Sequence, residues 1–166
     1  MTETIHVTGL AELNQFLQDL PIKIEKNILR GSLRAGMNTI KPVAQQNVHS
    51  VSGELAAGLK VGTKAKGGTV TASLKATGPH AFIAHMLEFT GAKAHQIKSK
   101  DGGALAFGGG VYQSVQHPGF QKRPFMRPAL DQQATVAVVA AAEYMKNRLA
   151  TKEGLDTAGI VIEGDV

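Results

Sequence analysis

His117-Pro-Gly-Phe-Gln-Lys-Arg-Pro-Phe-Met-Arg-Pro-Ala-Leu130 decides how the rest of the chain is read. Pro118, Pro124 and Pro128 each remove a backbone donor and fix φ, so the stretch is a stiff connector that ends a β region and launches a helix. Pro128 suits a first helical residue, where a missing N–H costs nothing, and an apolar run of helical period follows it. Phe120, Phe125 and Met126 are large apolar groups that need burial, and Lys122, Arg123 and Arg127 interrupt them. A connector both apolar and basic belongs at a contact.

Downstream, residues 128–150 read as a helix with Leu130, Ala134, Val138, Ala141, Met145 and Leu149 on one stripe, its small residues permitting close packing. The acidic stretch 151–166 forms a tail or arm, in which Ile160-Val161-Ile162 has the composition of a strand able to add to another chain's sheet. Upstream, the glycine-rich middle predicts four or five antiparallel strands. Thr69–Ala76 alternates cleanly, with Val70, Ala72 and Leu74 on one side. Leu55, Leu59 and Val61 lead into a strand before it, and residues 64–68 are expected to turn. Residues 94–100, Ala-His-Gln-Ile-Lys-Ser-Lys, read as a basic strand, and Asp101-Gly-Gly103 turns it. Residues 104–107 and 111–115 supply two more strands around Gly108–Gly110. Between these strands, residues 80–89 are nearly all apolar at helical spacing and end at Thr90-Gly91.

Residues 22–50 form the longest predicted helix. Leu29, Leu33, Met37, Ile40, Ala44 and Val48 draw one core face, Ile24, Ile28, Gly31 and Ala35 a second, and Pro42 is expected to kink it. Lys23, Lys26, Arg30, Arg34 and Lys41 form a basic stripe, which is either a solvated face or a surface for a polyanion or a neighbouring subunit. A short amphipathic helix precedes it from Gly9 to Leu20, and residues 1–8 suit an edge strand or arm. The expected fold is therefore α+β, a small antiparallel sheet packed against a long N-terminal helix with a C-terminal helix, in one domain over residues 1–150.

Composition narrows function. The 166 residues contain no cysteine, which excludes disulfides, thiolate catalysis and cysteine-held metals. No apolar run is long enough for a membrane span, and no basic-then-apolar leader is present, so a cytosolic product without a membrane partner is expected. The net charge of +5 is segregated: residues 1–21 carry −3, residues 22–128 carry +11 and residues 129–166 carry −3. Such a layout suits polyanion binding, or subunits that pair acidic ends with basic middles. His80, His85, Glu88 and His95 lie near one another in sequence, but their spacing and apolar surroundings favour structural histidines over a metal site. Gly108-Gly-Gly110 precedes no helix and reads as a turn. With no nucleophile elbow and no catalytic set, neither enzymatic activity nor a cofactor is expected.

Ser52-Gly-Glu-Leu55, Ala84-His-Met-Leu-Glu-Phe89, Ala104-Leu-Ala-Phe107 and the three-proline connector, in this order behind a helical N-terminal half, resemble the neck and tail-completion (head–tail joining) family of lambdoid tailed phages. The resemblance covers roughly residues 9–150. Ser52 stands where that family has threonine, and Thr90-Gly91 inverts its Gly-Thr order. The resemblance implies a non-enzymatic virion protein of a phage or prophage, made in the host cytoplasm. It would form a homo-oligomeric ring, a hexamer or dodecamer, at the head–tail interface, joining head-completion or connector proteins to the tail terminator or tail tube. In that setting Phe120, Phe125 and Met126 anchor the sheet-to-helix junction, and Lys122, Arg123 and Arg127 reach a neighbour. The stripe of Lys23, Lys26, Arg30, Arg34 and Lys41 faces either passing DNA or an adjacent subunit. The alternative is a basic nucleic-acid-binding module, which the pI of about 9.6 favours and the 5% aromatic content disfavours. A small metallo-hydrolase is the weakest reading.

Overall fold

The computed structural model describes residues 7–18, 20, 22–48, 53–100 and 102–164. Its elements are α1 (Leu10–Gln18), α2 (Ile22–Asn47), α3 (Glu54–Ala57), β1 (Leu59–Lys66), β2 (Thr69–Ala76), α4 (Ala81–His85), a π-helical turn (Met86–Thr90), β3 (His95–Lys98), β4 (Leu105–Phe107), β5 (Gly110–Tyr112), β6 (Ser114–His117) and α5 (Met126–Glu153). The fold is α+β: α2 packs on the antiparallel pair β1–β2, and α5 lies along α2. The chain divides into two compact units, Met1–Ala81 with Phe125–Val166, and Phe82–Pro124.

In the first unit, α1, α2, α5 and the C-terminal segment meet in a core of Leu13, Leu17, Ile28, Ala142, Leu149 and Ile160. The fully buried line on α2 is not the stripe of largest residues. It is Ile28, Ser32, Gly36, Ile40 and Ala44, stepping by four. At its middle the line is small, because α5 passes so close that a Cβ at Gly36 would lie 2.5 Å from the Ala137 carbonyl oxygen. The Ser32 hydroxyl is satisfied within the helix, donating to the Leu29 carbonyl at 3.0 Å. Of the expected core face, Ile40 and Ala44 are buried, while Leu29, Leu33 and Met37 are half-buried along an open apolar groove. Pro42 lies inside α2, where it cannot supply the helical donor to the Asn38 carbonyl.

Several local expectations change. Residues 64–66 belong to β1, which pairs with β2 from Leu59↔Ala76 to Lys66↔Thr69. The turn is only Gly67-Gly68, both at positive φ as a two-residue type I′ hairpin requires. A one-turn helix, α3, precedes β1 and is too short to show periodicity. Among the described residues six strands form, and they make three separate two-stranded pairs: β1–β2, β3–β6 and β4–β5. Helix α5 begins at Met126, two residues before the proline expected to open it. Pro128 still falls in the first turn, whose N–H groups have no helical acceptor. Leu130 is 50% exposed, and the buried residues of α5 are Ala129, Ala142 and Leu149. The helix ends at Gly154 in the left-handed conformation, and the N–H groups of Gly154 and Leu155 both return to the Leu149 carbonyl, the latter at 3.2 Å.

The described part of the acidic tail, to residue 164, folds onto its own chain, and residues 160–162 form no strand. Ile160 is in the core, its carbonyl accepts from Lys146 Nζ at 2.6 Å, and Gly164 bridges antiparallel to Val7. Of the arm expected over residues 1–8, residues 1–6 lie outside the described residues, as do Ser52 and Asp101 of the expected motifs and turns.

In the second unit, β3 and β6 form a ribbon, with the β4–β5 hairpin between them in sequence, and no third strand joins either pair among the described residues. The connector is fastened here through its backbone. Ala92 and Phe120 exchange both N–H···O bonds at 2.9 Å, and the Arg123 N–H donates to the Leu87 carbonyl at 2.8 Å. Gly91 permits this approach: it has φ 68°, and a Cβ there would lie 2.6 Å from the Phe120 carbonyl oxygen.

Candidate functional site

Two members of the basic stripe of α2 come together at one site. Arg30 and Arg34, one helical turn apart, share the rim of a polar cavity of about 590 Å³ with Asn27, Gly31, Ala35, Asn38, Thr63 and Tyr144. Lys26 and Lys41 are half-buried and do not line it, and the side chain of Lys23 lies outside what the structure describes.

Local sequence explains the concavity. Positions 31 and 35 are Gly and Ala, so the helix surface between the arginines and asparagines is low. A Cβ at Gly31 would collide with the phenol end of Tyr144, so glycine admits that ring from α5. Thr63 of β1 closes the other side, and its hydroxyl accepts from Arg34 Nη2 at 3.4 Å. Arg30 and Arg34 are exposed, and among the described residues no carboxylate pairs with either. The described wall of the cavity contains no acid. Guanidinium offers only donors, and the amides and hydroxyls around it supply more, so the cavity has the polarity of an anion site.

The four-residue spacing of the arginines is visible in sequence, and Asn27 and Asn38 fall on the same helical face. Thr63 and Tyr144 have no such signal, because tertiary packing alone brings β1 and α5 to this face.

The connector residues divide between the units. Phe120, Lys122 and Arg123 are in the second, where Phe120 is 37% exposed and the two basic side chains are exposed. Phe125, Met126 and Arg127 start α5 in the first, where Phe125 is buried, Met126 half-buried and Arg127 exposed. Phe120 is thus held by its backbone, and Phe125 is the connector aromatic that is fully enclosed.

His80, His85, His95 and His117 each have a neighbour in the structure. His80 Nε2 pairs with Glu54 Oε2 at 2.5 Å, the His85 ring lies 5.1 Å from Phe89, and His95 and His117 stack across β3–β6 at 5.0 Å. Among the described residues no three His, Asp or Glu gather as metal ligands, and no helix is long and apolar enough to cross a membrane. The second unit exposes a different kind of surface: Phe82, Phe89 and Val111 are each about two-thirds exposed or more, at 70%, 65% and 72%. No protein-family model matches the chain, and no curated protein or solved structure matches it.

Proposed function

We propose that this protein is a non-enzymatic virion subunit of a tailed phage or prophage. In this reading it forms a ring at the head–tail junction that joins tail to head and lets DNA pass. The observation that carries the reading is the ordered motif set that ends in the three-proline connector. Two features support it. The second unit exposes the large apolar side chains Phe82, Phe89 and Val111, and among the described residues no third strand joins its ribbon, as suits a surface built for another protein. The charge layout, acidic at both ends and basic between, suits head-to-tail contacts that close on themselves. Head-completion or connector proteins on one side and a tail terminator or tail-tube protein on the other are the partners of such a ring.

The competing reading, a free nucleic-acid-binding module, is favoured by the acid-free arginine cavity. Light scattering and electron microscopy of the purified chain, alone and with a tail-tube protein, separate the two. Discrete rings in either sample support the junction subunit. A chain that stays monomeric in both, while binding DNA with a steep salt dependence, overturns it in favour of the module.

A further inference from the structure

We propose that the cavity bounded by Arg30, Arg34, Asn38 and Tyr144 is a binding site for a phosphate group. Its source is either the phosphodiester of a nucleic-acid strand or a free phosphate. The assignment stands on the cavity and holds whether or not the chain forms a ring.

Three observations carry it. First, two guanidinium groups at i and i+4 are neighbours on one helix face and repel each other, yet no carboxylate among the described residues relieves them. A bound anion removes that repulsion and lets both planar forks donate in pairs, the geometry that suits phosphate oxygens. Second, the groups around the arginines extend the donor set: Asn27 and Asn38 supply amide N–H, and Thr63 and Tyr144 supply hydroxyls. A cation would find no acidic ligand among them. Third, the hollow depends on small residues. A side chain at Gly31 would displace the Tyr144 ring that forms one wall, and the hollow of about 590 Å³ is lined largely by exposed residues, so both a free phosphate and one within a strand can reach the arginines.

The 166-residue chain is titrated with two probes, sodium pyrophosphate by calorimetry and a labelled single-stranded oligodeoxynucleotide of about 12 nucleotides by fluorescence anisotropy. Three variants accompany the wild type. Arg30→Gln with Arg34→Gln removes the pair, Asn38→Asp places a carboxylate in the cavity, and Lys64→Gln with Lys66→Gln removes the same charge from exposed positions of β1. All four side chains neutralised in the two double variants are exposed, and circular dichroism checks that each variant folds.

Binding of one or both probes is expected to weaken roughly tenfold or more in the arginine and Asn38→Asp variants, and by less than about twofold in the lysine variant. For the oligonucleotide, the arginine variant also lowers the slope of log affinity against log salt by about 1 to 2. Binding of pyrophosphate alone assigns the site to free phosphates, and binding of the oligonucleotide assigns it to nucleic acid. Equal losses in the arginine and lysine variants, or no binding of either probe by the wild type, overturn the proposal.

Discussion

The two units of this chain solve the burial problem in opposite ways. The unit formed by Met1–Ala81 and Phe125–Val166 holds nearly every buried apolar side chain, including Leu13, Ile28, Leu59, Phe125 and Leu149. In Phe82–Pro124 the only buried hydrophobic residue among those described is Ala84, while Phe82, Phe89, Ile97, Val111 and Tyr112 stand in solvent. One unit is held by side-chain packing at close helix contacts, the other by backbone pairing between short strands and around Gly91 and Phe120. A two-stranded ribbon is marginal by itself in water. The contrast therefore places the stabilising core in the first unit.

The largest expected break in this contrast is Phe125→Ala. Phe125 is enclosed at 1% exposure, so its truncation should cost about 3 to 5 kcal/mol by chemical denaturation. A cost below about 1 kcal/mol would mean that the α5 entrance is not part of the core. Next is Gly36→Val. The added atoms meet the Ala137 backbone carbonyl, which cannot swing aside as a side chain can, and overpacking of this kind costs about 1 to 3 kcal/mol. A neutral result would show that α2 and α5 are free to separate.

That close contact also explains what is legible in the sequence and what is not. The positions of α2 and α5, the β2 alternation and the α+β class are legible in the sequence, and α2 most clearly, because a long amphipathic helix repeats its signal many times. The buried line of α2 does not, since Ser32 and Gly36 carry no hydrophobic signal and are buried because they are small. Hydropathy favours the larger Leu29, Leu33 and Met37, and they line the open groove instead. Residues 64–66 resemble a turn because lysine and glycine crowd there. Yet Lys64 and Lys66 are exposed and Ala65 is half-buried, the alternation of a strand that needs only Gly67-Gly68 to reverse. Ile160-Val161-Ile162 has strand composition, but Ile160 is captured by the core and Ile162 packs against it. At the candidate site the arginine pair is legible from helical spacing. Thr63 and Tyr144 are not, because no local rule links positions that distant in sequence.

Within the second unit the contrast predicts a backbone effect with a local footprint. Gly91→Ala introduces a Cβ both at positive φ and 2.6 Å from the Phe120 carbonyl oxygen, which costs about 1 to 3 kcal/mol. The loss should appear in hydrogen exchange as faster exchange at the Ala92 and Phe120 amides, with the amides of α2 and α5 unchanged. Faster exchange throughout the helices would mean that the two units unfold as one, and the division between them would lose its energetic meaning.

The smallest expected effect on stability is the most informative about function. Phe82 and Phe89 are 70% and 65% exposed, so truncating both to alanine removes little buried surface. Phe89 also gives up its tilted contact with the His85 ring at 5.1 Å, and the combined cost should stay within about 1 to 1.5 kcal/mol. If these aromatics are instead the contact surface of a ring subunit, their value lies between chains. Sedimentation and electron microscopy of the double variant should then show assembly lost at a protein concentration where the wild type assembles. A fall of more than about 3 kcal/mol in the denaturation of the isolated chain would place the rings in a core and erase the difference between the units. Normal stability with normal assembly would keep that difference but move the subunit contact off these aromatics. The exposed cations of the connector, Lys122 and Arg123, would then be the next residues to reverse in charge.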